Sequence, residues 1–203
     1  MDSLLKIVYV LFLLISGFVD TEKVRAQVVK TNCMLSSNWS NNGYEKIYKI
    51  TYGVGFESFE SKKIIVSSNF GLNYKGQQYP IYNGSMFEAN IQYLELNTTI
   101  RYKIPMNSMC VFVGIGPSIN WRIKSEYNVS GEIDDCYYRK GEFRTMSNMV
   151  ELLFETGLYK DLGRIRTELF VSYRNNMTKV IPETRTGFIG HSLLFNISLG
   201  YKF

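Results

Sequence analysis

The sequence has little of what enzymes and metal proteins need, because it contains one histidine and three cysteines in 203 residues. The single histidine, His191, leaves no second imidazole for a zinc site or for paired acid and base roles. We therefore expect no catalytic residue, no metal site and no cofactor. An odd number of cysteines allows at most one internal disulfide, and the pairing among Cys33, Cys110 and Cys136 stays open.

The sequence also lacks a cluster of basic residues. Its formal net charge is +5, yet the lysines and arginines form no run of the kind that tracks phosphates. A modest positive balance is typical of solvated surfaces and of surfaces near anionic lipids. We therefore expect no nucleic-acid partner.

The apolar run near the N-terminus is too short for a spanning helix. It extends from Ile7 to Val19 and is followed by the small residue Ala26. Its length suits the apolar region of a secretory signal peptide and falls short of the ~20 apolar residues that a spanning helix needs. We predict a signal peptide over residues 1–26 and one domain over residues 27–203, with a retained anchor as the alternative.

The sequence is rich in two-residue periodicity, most clearly at its C-terminal end. Apolar side chains occupy every second position up to the final Phe203, and polar residues or glycine lie between them. A side-chain period of two places the two sets on opposite faces of a strand. A closing strand that ends on an aromatic residue is typical of bacterial outer-membrane barrels.

The same alternation recurs in six further segments: residues 48–56, 64–74, 94–104, 111–123, 150–158 and 165–173. Bacterial single-chain barrels have even strand numbers, so residues 28–39 are assigned as an eighth strand. Short connections alternate with long ones, as periplasmic turns alternate with extracellular loops. The short ones are 58–62, 105–108 and 160–163, and the long ones are 76–90, 125–148 and 175–190. We predict an all-β fold, an eight-stranded antiparallel up-and-down transmembrane β-barrel.

Alternation alone does not say which face meets lipid. A soluble lipocalin-like barrel that binds an apolar ligand would turn its apolar face inward, and it remains an alternative. The export signal and the terminal Phe203 favour the membrane. So do aromatic residues at the strand ends of the apolar face, which suit interfacial girdles: Phe56, Tyr74, Tyr102, Trp121, Tyr173 and Tyr201.

On the membrane interpretation, the polar faces line the lumen. An eight-stranded barrel is just wide enough for side chains to fill, so opposite charges are expected to form a plug rather than a channel. The predicted polar network consists of Glu95, Arg101, Lys103, Arg122, Glu151, Glu155, Arg166, Glu168 and Lys202. Glycines on the same faces leave room for these long side chains.

Four segments carry a resemblance to a known family. They are Tyr93-Leu94-Glu95-Leu96 with Arg101-Tyr102-Lys103, Val113-Gly114-Ile115-Gly116-Pro117-Ser118, Glu155-Thr156-Gly157-Leu158 and Ser198-Leu199-Gly200-Tyr201-Lys202-Phe203. In order and spacing they resemble the PorT-like small outer-membrane β-barrels of Bacteroidetes, although Asn97 replaces a usual proline. The resemblance implies an eight-stranded outer-membrane barrel, and one relative takes part in protein secretion by the type IX system.

The sequence favours a structural or interaction protein of the bacterial outer membrane, with an accessory role in type IX-like secretion as an alternative. Aromatics among charges in the loop 125–148 suit recognition of a protein partner: Tyr127, Tyr137, Tyr138 and Phe143. Other expected partners are the lipid bilayer, lipopolysaccharide and the barrel assembly machinery, which would receive the C-terminal strand. An enzymatic role is not expected, because His191 and Ser192 are adjacent and so point to opposite faces of their strand.

Overall fold

The chain forms a closed antiparallel β-barrel. The computed structural model describes residues 28–40, 47–80, 86–130, 139–142, 148–177 and 190–203. Its strands are β1 (Val28–Ser40), β2 (Ile47–Glu60), β3 (Ile64–Pro80), β4 (Met86–Met106), β5 (Met109–Ser130), β6 (Arg139–Glu142), β7 (Asn148–Leu162), β8 (Ile165–Asn176) and β9 (Gly190–Lys202). Eight of them close the barrel, because β9 pairs with β1 and β5 with β7. The predicted eight-stranded fold is confirmed, and β1 is the strand that parity required.

The short turns lie together at one end of the barrel, here called the turn end. They follow β2, β4 and β7, and the opposite end is called the loop end. Asn107 and Gly163 adopt positive φ angles of 36° and 64° in two of these turns. The turn after β2 begins later than predicted, since β2 continues through a bulge between Glu57 and Phe59 to Glu60.

Two of the long loops predicted at the loop end are wrong in extent. Within the predicted loop 76–90, β3 and β4 stay paired from Gly76 and Asn90 up to Pro80 and Met86. Within the predicted loop 125–148, β5 continues to Ser130 and pairs with β6. Where a sheet extends beyond the lipid layer, both of its faces can be polar. This part of the ladder therefore needs no apolar face towards lipid. The predicted loop 175–190 lies mostly outside the described residues.

The apolar faces point outward and the charged faces inward. Tyr52 and Ile197 are each 64% exposed, whereas Arg101 is 1% exposed inside the barrel. A soluble barrel with an apolar ligand needs the opposite arrangement. The outward belt includes Val29, Leu35, Ile50, Val54, Phe56, Phe70, Ile100, Tyr102, Val113, Ile115, Phe154, Leu158, Leu169, Phe195, Leu199 and Tyr201. In the described part of the chain, no helix is long and apolar enough to cross a membrane.

The pairing between β2 and β3 ends before the loop end. The two strands pair from Glu60 and Ile65 up to Gly53 and Gly71. Beyond that point, residues 47–52 of β2 pair only with β1. Residues 72–80 of β3 pair only with β4. We call this gap between the described edges of β2 and β3 the split.

Two cysteines lie on the described strands and both are free thiols. Cys33 is exposed on the outward face of β1, and Cys110 is partly buried near the turn end of β5. The structure therefore shows no disulfide between these two described cysteines. Cys136 lies outside the described residues.

Candidate functional site

The lumen holds two groups of ion pairs. The group near the turn end, here called the turn-end cluster, brings together five basic and five acidic side chains from six strands. Its members are Lys30, Glu57, Glu60, Arg101, Lys103, Glu155, Asp161, Arg166, Glu168 and Lys202. Because the two signs are equal in number, the cluster is neutral as a whole. Neutral pairing is what allows charges to persist in an enclosed interior.

Arg101 lies at the centre of the turn-end cluster. Its Nε is 2.9 Å from Glu155 Oε2, and its Nη1 is 3.2 Å from Glu168 Oε2 and 3.6 Å from Glu57 Oε1. The guanidinium carbon also lies 4.4 Å and 4.8 Å from the ring centroids of Phe112 and Phe170. Both rings face into the barrel, where they shield the guanidinium from water and add cation–π attraction.

Arg166 closes the same cluster at the turn end. Its Nη1 is 2.5 Å from Glu57 Oε2, and its Nε and Nη2 contact the two oxygens of Asp161 at 2.7 Å and 2.9 Å. Such a bidentate pair fits the planar guanidinium fork and fixes its direction. Lys202 also reaches Asp161, at 2.9 Å. The C-terminal strand is thus tied to the hairpin between β7 and β8.

A second group, the loop-end cluster, contains Lys75, Glu95, Glu151 and Arg174. Lys75 pairs with Glu151, Arg174 pairs with Glu95, and Arg174 Nη1 also lies 3.9 Å from Glu151 Oε2. Two basic and two acidic groups again cancel. All four side chains are buried, so each pair spans the barrel interior from one wall to another.

A chain of asparagine amides extends from the loop-end cluster towards the turn-end cluster. Asn32 Nδ2 donates to Asn69 Oδ1 at 2.9 Å, and Asn69 Nδ2 donates to Asn97 Oδ1 at 3.0 Å. Asn97 Nδ2 then donates to Glu95 Oε1 at 2.6 Å. An amide offers both donors and acceptors, so it can fill the space between ion pairs without adding charge.

Glycine on the inner face makes the space that Arg101 uses. A Cβ built on Gly114 would lie 2.9 Å from Arg101 Cγ. Contacts this close essentially do not occur between carbon atoms, so a side chain here would displace the arginine stem. The expectation that inner glycines accommodate the long charged side chains agrees with this geometry.

The structure brings seven of the nine predicted network residues together as buried members of the two clusters: Glu95, Arg101, Lys103, Glu151, Glu155, Arg166 and Glu168. Lys202 is half-buried at the turn end. Arg122 is half-buried near the loop end, where β5 places it opposite Tyr93.

Sequence reasoning missed six members of the clusters: Lys30, Glu57, Glu60, Lys75, Asp161 and Arg174. Three of them could have been found by extending a recognised alternation by one residue. Glu57 continues the inner face of β2, Lys75 that of β3 and Arg174 that of β8. The predicted strands end at the last residue of the apolar face, whereas the polar residues of the inner face continue beyond it.

The predicted partner-binding residues are only partly described. Tyr127 lies in β5 rather than in a loop, opposite Gly141 of β6, and its ring stacks on Phe87 with centroids 5.7 Å apart. Tyr137, Tyr138 and Phe143 lie outside the described residues. The described member of the aromatic group therefore lies on a sheet.

His191 lies on the outward face of β9 and contacts Tyr173. The hydroxyl of Tyr173 is 2.9 Å from His191 Nδ1, and the two rings are stacked with centroids 5.8 Å apart. Ser192 points to the opposite face and is 1% exposed. This arrangement resembles an aromatic girdle contact rather than a nucleophile and its base.

Comparison with known proteins places the fold. No family model and no curated protein matches the sequence. Neisserial surface protein A (NspA) aligns with a TM-score of 0.54 and 10% identity over 87% of this chain and 96% of its own. Ail, the attachment invasion locus protein of Yersinia pestis, aligns with a TM-score of 0.52 and 9% identity over 87% of this chain and 97% of its own.

Identities near 10% carry information about the fold alone. The likeness nevertheless agrees with the geometry, because the chain closes eight strands with apolar side chains outward and paired charges inward. The chain therefore has the eight-stranded β-barrel fold of bacterial outer-membrane proteins such as NspA and Ail.

Proposed function

We propose that the chain is an integral outer-membrane protein in which a filled barrel supports a projecting sheet that binds a partner at the cell surface. The observation that carries this proposal is the contrast between the two halves of the molecule. The lumen is crossed by buried, neutral ion-pair clusters, which favours a structural role over conduction. The loop end instead extends far beyond the apolar belt.

The extension is carried by β4 and β5. They contain 21 and 22 residues. A tilted strand crosses the bilayer with about 9–11 residues. The surplus forms what we call the projecting sheet: residues 75–80, 86–93, 122–130 and 139–142. Strands continue to hold this region in place, so it is a more precise binding platform than a loop.

The projecting sheet carries an aromatic pair on one face and charged groups on the other. Phe87 and Tyr127 form a stacked pair, and Lys124 is 2.8 Å from Glu126 with its side chain 53% exposed. Tyrosine and phenylalanine are enriched at protein interfaces. We take a surface protein or glycan as the partner class of this sheet.

An accessory role in type IX-like protein secretion is the second candidate. It is supported by the resemblance of residues 93–103, 113–118, 155–158 and 198–203 to the PorT-like barrels of Bacteroidetes. The same resemblance supports an origin in that phylum. The proposal also includes a signal peptide over residues 1–26, recognition of β9 by the barrel assembly machinery, and contact with lipopolysaccharide around the loop end.

We further propose that the protein is not an enzyme. The support is local, since the one histidine uses its Nδ1 towards Tyr173. A hydrolase of the outer leaflet needs a serine within hydrogen-bond reach of its histidine. Lipid hydrolysis assayed with the purified protein should equal that of a variant in which His191→Ala removes the imidazole.

Site-specific photo-crosslinking tests the interaction role. A photoreactive residue at Lys124 samples the projecting sheet, and one at Lys160 samples the exposed turn end as a matched control. We expect a discrete protein or glycan adduct at position 124 that is absent at position 160. If neither position gives such an adduct while the folded barrel still shows heat-modifiable gel mobility, the interaction role is wrong and the barrel assignment stands.

The secretion alternative makes a different prediction. Deleting the chain should then stop the export of secreted proteins, and the adduct at Lys124 or Lys160 should contain another component of the export machinery. Normal export in the deletion strain would contradict that alternative.

A further inference from the structure

The base of the split between β2 and β3 lies within the outward apolar belt. Tyr48, Ile50 and Tyr52 flank it on β2 and are 61%, 58% and 64% exposed. A sheet edge left open in hydrocarbon would leave backbone N–H and C=O groups without partners, and each costs several kcal/mol. An occupant of the split must therefore offer hydrogen-bonding groups, which a bare acyl chain does not.

Buried polar atoms on the inner side of the split also lack partners. Thr51 and Asn73 are each 1% exposed, and neither Thr51 Oγ1 nor Asn73 Oδ1 has a hydrogen-bond partner in the described part of the structure. If the pairing of Gly53 with Gly71 continued along the ladder, Thr51 would lie opposite Asn73. A buried polar group left unsatisfied costs about 1–3 kcal/mol. These oxygens favour an occupant that carries hydroxyl or amide donors.

An apolar groove on the outward wall begins at the base of the split. It has a volume of about 620 Å³ and is lined by Thr31, Asn32, Cys33, Tyr52, Gly53, Val54, Phe70, Ile197 and Leu199. Thr31 and Cys33 contribute small side chains to this lining, beside the larger side chains of the neighbouring strands. Tyr52 and Gly53 border both the groove and the split. The groove has the shape and chemistry for an acyl chain.

We propose that the split and the groove together bind a glycolipid of the outer leaflet. The acyl chain occupies the groove, and the hydroxyl- and amide-bearing sugar head enters the split, where it meets Thr51, Asn73 and the open strand edges. A peptide strand would satisfy the edges but would leave the groove without a role. The inference rests on the proposed outer-membrane location, in which short turns face the periplasm and the loop end faces the outer leaflet.

Hydrogen exchange with lipid A as the probe tests the site. The full chain is folded in zwitterionic detergent, and heat-modifiable mobility first establishes the barrel. The amides of residues 47–52 and 72–77 that face the split, every second one in each strand, are then compared with those in the paired residues 53–57 and 67–71. At a lipid A concentration ten times its dissociation constant, we expect exchange in the first set to slow about tenfold and the second set to stay unchanged.

Three variants test the contributions of the split and of the groove separately. Thr51→Val removes the hydroxyl at nearly constant volume, and Cys33→Phe fills the groove from the outward face. Both should weaken the affinity for lipid A about tenfold, which is about 1.4 kcal/mol, so that protection at the same lipid A concentration falls to about twofold. Ser67→Ala is the matched control, because Ser67 Oγ is also buried without a described partner but lies where β2 and β3 are paired. This control should leave the protection unchanged.

Several results would overturn the proposal. Amides of the split that are already protected without lipid would mean that β2 and β3 are paired there. Fast exchange that lipid A does not slow would mean that no head group enters. Equal protection by phosphatidylglycerol would contradict recognition of the sugar. In each case the folded barrel would remain, whereas a chain that shows no heat-modifiable mobility would contradict the proposed function itself.

Discussion

Replacing Arg101 should destabilise the barrel more than any change to an exposed cation. Arg101→Met keeps an apolar stem but removes the charge that faces Glu57, Glu155 and Glu168. It also removes the contacts with two aromatic rings. Removing one partner of a buried ion pair costs about 3–5 kcal/mol. We expect the free energy of unfolding to fall by about 4 kcal/mol, a roughly thousand-fold change in the unfolding equilibrium.

The assay is equilibrium urea unfolding of the barrel in lipid vesicles, followed by the fluorescence of its two tryptophans. Arg164→Met is the matched control, because Arg164 is exposed and donates to the Tyr201 hydroxyl at 3.0 Å. This control should cost less than about 1 kcal/mol. In the double variant Arg101→Met with Glu155→Gln, the cluster is again neutral, so about 1 kcal/mol or more should be recovered. A loss below about 1 kcal/mol for Arg101→Met would refute the reasoning.

Three further outcomes are expected. Gly71→Ala should lower the free energy of unfolding by about 1–3 kcal/mol in the same assay, because its Cβ would lie 2.7 Å from Tyr52 O and 2.8 Å from Gly53 Cα. A stability equal to the wild type would show that β2 and β3 do not approach closely there. Cys33, in a variant without the other two cysteines, should react in vesicles with an apolar maleimide and resist a sulfonated one; equal labelling would contradict an outward face in lipid. Lys75→Met should destabilise the folded barrel by about 3 kcal/mol or more, and wild-type stability would show that its buried pair is not formed.

The strands could be predicted because their apolar and polar faces produce a two-residue alternation in the sequence. Over positions 195–203 of the chain, apolar residues at odd positions and polar residues or glycine at even positions indicate a strand with two distinct faces. In the projecting sheet the alternation of β4 reverses its phase, because Ala89, Ile91 and Tyr93 are apolar and buried on the inner face. The backbone ladder between β3 and β4 still continues to Pro80 and Met86, where sequence patterning predicted a loop.

The composition of the lumen was predictable, but its partners were not. Alternation places Arg101 and Glu155 on inner faces, and their pairing follows from the registers of β4 with β5 and of β5 with β7. The sequence does not predict the inward rings of Phe112 and Phe170, because each is an apolar residue on a face that is otherwise mostly polar. They serve to cover the guanidinium of Arg101. The split could not be predicted either, since it results from strand geometry rather than from a residue pattern.

The turn-end cluster also bears on the order of events when the barrel forms. Lys30 on β1 meets Glu168 on β8 at 3.0 Å, although 138 positions separate them in the chain. These partners come together only when β9 joins β1. Before the barrel closes, the charged side chains of the incomplete sheet lack their partners and have to stay hydrated. Entry of the open sheet into hydrocarbon would place unpaired charges in an apolar medium. Insertion and closure are therefore expected to occur as one concerted step, with the ion pairs dehydrating at the moment when the first and last strands meet.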